Sequence, residues 1–105
     1  MATIQVSVAY DGQGNVAAVA IAGAGFDVGR QFSAAVTDSS GNVTNLGTAT
    51  SDTDGNFSIG VSVTASEATL LAGFAGGSAF YVSGWPAVVY QEDLPAGVTF
   101  AVSVQ

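Results

Sequence analysis

The sequence predicts an all-β fold, an antiparallel β-sandwich of about eight short strands. Three observations carry that prediction. Apolar and polar residues alternate with a period of two in stretch after stretch, most clearly at 56–64, where Phe57, Ile59, Val61 and Val63 stand against Ser58, Gly60, Ser62 and Thr64. Clusters of Asp, Gly, Asn and Ser recur roughly every ten residues, the turn spacing of a sandwich. The length, 105 residues, leaves room for a single domain over 1–105, which buries roughly two-thirds of its unfolded surface without help from metals or disulfides.

Taken in order, residues 3–10 place Ile4, Val6, Val8 and Tyr10 on one face of a first strand. Asp11-Gly12-Gln13-Gly14-Asn15 is turn chemistry. Residues 16–22 form a second strand with Ala17, Val19 and Ile21 inward. The stretch 23–29 is a corner in which Phe26 and Val28 are expected to plug the end of the core. Residues 31–37 turn Phe32, Ala34 and Val36 inward, and the more polar 43–50 suits an edge strand. After the strand at 56–64, residues 66–72 read as one helical turn, with Ser66 as N-cap and Gly73 as the stop. Strands at 78–83 and 87–91 flank Gly84-Trp85-Pro86. Leu94-Pro95-Ala96-Gly97 then turns the chain into a last strand with Val98, Phe100, Val102 and Val104 inward.

Composition excludes several functions. Charged residues make up 9% against about 25% in an average soluble domain, and the mean hydropathy is +0.48. So either hydroxyls and glycines carry the solvation or partners cover part of the surface. Arg30 is the single basic side chain, and eight acids leave a net charge of −7. Nucleic acid and anionic membrane are therefore disfavoured as partners, since both need Lys or Arg to meet phosphate. There is no cysteine, so neither disulfides nor thiol chemistry arise. Residues 1–8 alternate and lack a positive n-region, which reads as a first strand and not a signal peptide, with synthesis and folding expected in the cytoplasm.

The central stretch resembles a bacterial and phage immunoglobulin-like module. The residues that carry the resemblance are Gly23-Ala24-Gly25-Phe26-Asp27-Val28-Gly29, Val36-Thr37-Asp38-Ser39-Ser40-Gly41-Asn42 and Asp52-Thr53-Asp54-Gly55-Asn56-Phe57. The resemblance covers about forty residues and implies an immunoglobulin-like sandwich. It leaves function open among spacers, adhesin modules and virion decorations. The antibody-type cysteine pair is absent, and Trp85 comes late in the chain.

Chemistry has few players. Without His, Cys or Lys no serine has its usual activating base, and zinc has no imidazole or thiolate ligand. Two carboxylate pairs, Asp52/Asp54 and Glu92/Asp93, are placed in loops of a domain too small to wall off a cleft. The expectation is no enzyme and no cofactor. Asp52-Thr53-Asp54-Gly55-Asn56 leaves a weak calcium site open beside the simpler reading of a hairpin turn, because the EF-hand spacing fails. The uncharged run 68–89 is long enough to span a bilayer but is broken by glycines and Pro86; it is read as a helical turn and two strands. Tyr81, Trp85, Pro86 and Tyr90 form the one aromatic cluster fit for a contact surface. The alternative is that Trp85 closes the end of the sandwich.

These readings converge on a structural, protein-binding module. The expected setting is a bacteriophage virion surface, as a capsid decoration protein whose apolar surplus is covered by capsid or sister subunits in a homo-oligomer. The rival is a carbohydrate-binding or adhesin-type module that uses Tyr81, Trp85 and Tyr90 as a sugar platform.

Overall fold

Strand pairing builds two antiparallel four-stranded sheets in the computed structural model, which describes all 105 residues. The first sheet holds β1 (Ala2–Tyr10), β2 (Val16–Ala24), β5 (Phe57–Ser62) and β6 (Gly77–Tyr81), in the order β5-β2-β1-β6. The second holds β3 (Gln31–Thr37), β4 (Val43–Thr50), β7 (Val88–Asp93) and β8 (Thr99–Val104), in the order β4-β3-β8-β7. A single helix, α1 (Ala65–Leu70), carries the chain from β5 to β6. As in immunoglobulin sandwiches, the first, second and fifth strands are neighbours and the third lies in the facing sheet. The closing hairpin departs from that order: β8, not β7, lies beside β3, and β6 extends the first sheet.

The two-residue alternation decides which side chains enter the space between the sheets. Ile4, Val6, Val19, Ile21, Phe57 and Ile59 come from one sheet; Phe32, Ala34, Val36, Phe100 and Val102 come from the other. All are buried in one continuous cluster. Across the gap Phe32 stacks on Phe57 with ring centroids 3.9 Å apart. Phe57 also lies over Gly23, its cross-strand partner, in the space a side chain at that position would fill.

The ends of the sandwich are closed differently. At one end Phe26 packs edge-on against Phe32 and Trp85. At the other, Leu71 and Phe74, just beyond α1, are fully buried, and Phe74 lies 4.5 Å from Phe100. Ala2, Val16, Val89, Leu94 and Val98 complete the core.

Several details differ from the sequence reading, each for a local reason. One extra residue, Ala17, sits in the β1–β2 ladder, so Val16 faces inward and Ala17 is only half-buried. Tyr10, opposite Val16, hangs over the end of the core, half exposed, and its hydroxyl donates to the Phe74 carbonyl. Val28 is not a plug: it stands 61% exposed at the tip of the corner, and Phe26 alone fills the end. The corner itself starts later than expected, because β2 runs on through Gly23 to Ala24. The helix is capped by Thr64 and not Ser66. The Thr64 hydroxyl accepts the Glu67 N–H while the Glu67 carboxylate accepts the Thr64 N–H, a reciprocal box. Finally, Glu92 and Asp93 lie in β7, not in a loop.

Candidate partner-binding surface

The cluster singled out from the sequence spans β6, β7 and the loop between them, and the fold gives its members different jobs. Tyr81, near the end of β6, turns inward. Its hydroxyl crosses the open side of the sandwich and donates to the Val89 carbonyl of β7 at 2.7 Å. Tyr90 is half-buried against Phe100, and its hydroxyl donates to Glu92 Oε1 at 2.8 Å. Burial, with the Glu92 carboxylate beside it, pushes the Tyr90 phenol well above its ordinary value of 10.0. Trp85 lies 5.1 Å from Phe26, edge to face, and the Arg30 guanidinium stands 5.8 Å from the indole centroid. Both tyrosine hydroxyls and the indole face are thus engaged within the molecule, while Pro86 is exposed.

The side chains that do face solvent here are their neighbours. Phe80 is 69% and Val82 80% exposed, and Val88 and Met1 are also exposed. Val28 joins them from the corner that carries Phe26 and Arg30. Met1 and Phe80 flank a shallow depression of about 570 Å³ on the outer face of the first sheet, floored by Thr3, Gln5, Ala22 and Ala24. Phe80 and Val82 are the residues the sequence reading does not single out. Their signal is nonetheless present, since alternation through 78–83 puts them on the face opposite Tyr81.

Five of the eight carboxylates lie away from this end. Asp11, Asp38, Glu67, Glu92 and Asp93 lie at the opposite end or lead into it. The near end holds Asp27, Asp52 and Asp54, with Arg30 reaching Asp27 at 3.9 Å. The outer face of the first sheet carries no charge: its rungs run Phe80–Thr3–Ala24, Ser78–Gln5–Ala22–Ser58 and Ser7–Ala20–Gly60.

Three of the four paired carboxylates, Asp52, Glu92 and Asp93, accept hydrogen bonds within the fold. Asp52 Oδ1 accepts the amides of Asp54 and Asn56 at 2.9 Å. Asp11 and Asp38 do the same for residues two and four further on, so three Asp-x-x-Gly-Asn turns share one geometry. Those amides, Asn15 N–H foremost for Asp11 and Asn42 N–H for Asp38, hold both carboxyls below their ordinary 3.8. Glu92 accepts the Ala75 and Gly76 amides at 2.8 and 2.9 Å as well as the Tyr90 hydroxyl. Asp93, the next residue in the strand, points to the other face, towards Thr99. Neither pair converges on a common point. The uncharged run 68–89 is divided among α1, β6 and β7, and no helix is long and apolar enough to cross a membrane.

Compared with known proteins, the chain matches no family model, no curated protein and no solved structure.

Proposed function

We propose that this chain is a non-enzymatic structural module that binds protein through its apolar end, as a bacteriophage virion accessory of the capsid-decoration kind. The observation that carries the reading is the segregation of exposed Phe80, Val82, Val88, Val28 and Met1 from most of the carboxylates. Contact surfaces are depleted in charge at their centre and rely on aromatic and aliphatic anchors. A net charge of −7 suits an outer surface better than a DNA-packed interior. The immunoglobulin-like resemblance of the stretch from Gly23 to Val63 adds a reason to look among surface and virion modules.

The test is co-sedimentation with shells assembled from the major capsid protein of the same genome. Wild type is expected to pellet with shells, and Val88→Glu and Pro86→Glu, both at exposed positions, to remain in the supernatant with unchanged circular dichroism. No pelleting of the wild type, or pelleting indifferent to both substitutions, overturns the reading. A glycan array run alongside tests the sugar-platform rival, which the inward tyrosine hydroxyls do not favour.

A further inference from the structure

We propose that the free edge of β6 pairs with β6 of a second copy, joining two first sheets into one eight-stranded sheet across a two-fold axis. This does not rest on the virion reading.

The starting point is the hydrogen bonding of β6. On one side it pairs with β1, from Ala2 opposite Tyr81 to Val6 opposite Gly77. No backbone or side-chain hydrogen bond within the chain reaches its other side. The segment just before it is treated differently: the Ala75 and Gly76 amides are both covered by the Glu92 carboxylate. Protection therefore stops where the strand begins.

Two of the other three edges, β4 and β7, carry devices that keep sheets from adding strands. In β4 an extra residue, Leu46, breaks the register against Ala34 and Ala35. β5 is regular and uncharged like β6, but its outward residues Ser58, Gly60 and Ser62 offer no apolar side chain to a partner. β7 is irregular between Val88 and Tyr90, has its Val89 carbonyl taken by Tyr81, and ends in Glu92 and Asp93. β6 has no bulge, no proline and no charge. Phe80 on it and Val82 just past it are among the most exposed apolar side chains of the molecule. An unblocked edge of this kind is a template for strand addition.

Charge permits a second copy. The outer face carries no carboxylate, and the one carboxylate beside this edge, Glu92, is already engaged by the Ala75 and Gly76 amides and the Tyr90 hydroxyl, so a second acidic chain can approach without bringing free like charges together. Antiparallel pairing of a strand with its own copy is also self-complementary, as a two-fold interface requires. Centred on Ala79, it sets Ser78 opposite Phe80 of the second copy. The two Phe80 rings then lie diagonally, at a separation of about 7–8 Å between backbones, within reach of one another. A five-residue strand pair with two apolar flanks buries less than the roughly 800 Å² per partner of a standard interface. The dissociation constant is accordingly expected on the order of 10–100 μM.

The experiment is light scattering of the full chain over a concentration series without other proteins, with hydrogen exchange at both ends of the series. The expected result is a mass that rises from 10.3 kDa towards twice that value, with β6 amides exchanging more slowly at high concentration. Phe80→Glu should keep the mass at one chain and abolish the concentration-dependent protection. Val82→Glu is the second variant, should Phe80→Glu fold poorly. A wild-type mass that stays monomeric to about 1 mM overturns the proposal, as does a dimer indifferent to both substitutions. A monomer whose Phe80→Glu variant loses shell binding also overturns it, and gives the edge to the shell protein instead.

Discussion

The Ser51 hydroxyl ties two loops together through a single oxygen. It accepts the Arg30 amide at 3.0 Å and donates to the Asp27 carbonyl, and Ser51 is only 3% exposed. Ser51→Ala removes the partner of two part-buried backbone groups and is expected to cost about 1 kcal/mol, read as a lower urea midpoint at unchanged slope. Titratable residues set the limits of stability at the two ends of the pH range. Asp11 and Asp38 hold their protons less tightly folded than unfolded, so their contribution is full above their ordinary 3.8 and is lost as pH falls through their lowered values. Asp38→Asn is expected to flatten that acid limb. Tyr90 is the opposite case, with a folded value raised above 10.0. Its contribution is full below pH 10 and is lost as the unfolded phenol ionises above it. Tyr90→Phe should flatten the alkaline limb of a plot of denaturation midpoint against pH.

At the scale of elements, the repeated Asp-x-x-Gly-Asn turn organises three of the strand connections. In each, the glycine N–H bonds back to the aspartate carbonyl and the glycine adopts positive φ. The context of each turn differs. Gly41 has open space around it, but a side chain at Gly55 would run into the Phe26 carbonyl. Gly41→Ala is therefore expected to cost about 1–2 kcal/mol, the left-handed penalty alone. Gly55→Ala adds the collision and should cost on the order of 3 kcal/mol or more. Equal losses in thermal unfolding would show that the corner yields to the side chain. The contact also explains why the glycine-rich corner and the Asp52 turn occur together in the sequence: Phe26 N–H donates to the Gly55 carbonyl, and the two segments form one end of the sandwich. Because Asp52 uses its carboxylate as the other two turns do, the melting temperature is expected to be the same with calcium as with chelator. A rise with calcium that Asp54→Asn removes would mean that the loop rearranges to bind the ion.

Across the whole molecule, one end is shut by Phe26, Trp85 and Arg30 and the other by Leu71, Phe74 and Tyr10. Trp85 therefore contributes to stability whatever it contacts outside. Trp85→Ala is expected to cost about 2 kcal/mol, less than a fully buried aromatic, because the indole is only half-buried. An unchanged unfolding midpoint would return Trp85 to the list of free contact residues. Five of the seven large exposed apolar side chains lie at the near end, Tyr10 and Val43 being the exceptions, while five of the eight carboxylates lie at the far end, and this polarity of the molecule appears only once the strands are paired.

Sequence alone determined the architecture and most of the core, because a strand's side chains alternate whatever its neighbours are. Phe32, Ala34 and Val36, or Phe57 and Ile59, face inward for that reason. It also located the turns, since positive φ and Asx hydrogen bonding are local demands met by Gly and Asp. Where geometry depends on a distant segment, local pattern falls silent. The inserted Ala17, the exposure of Val28, the burial of Leu71 and Phe74, and the inward aim of the Tyr81 and Tyr90 hydroxyls were decided by tertiary packing. The same holds for the uncovered edge of β6, because an edge is a property of strand order, which no single strand encodes.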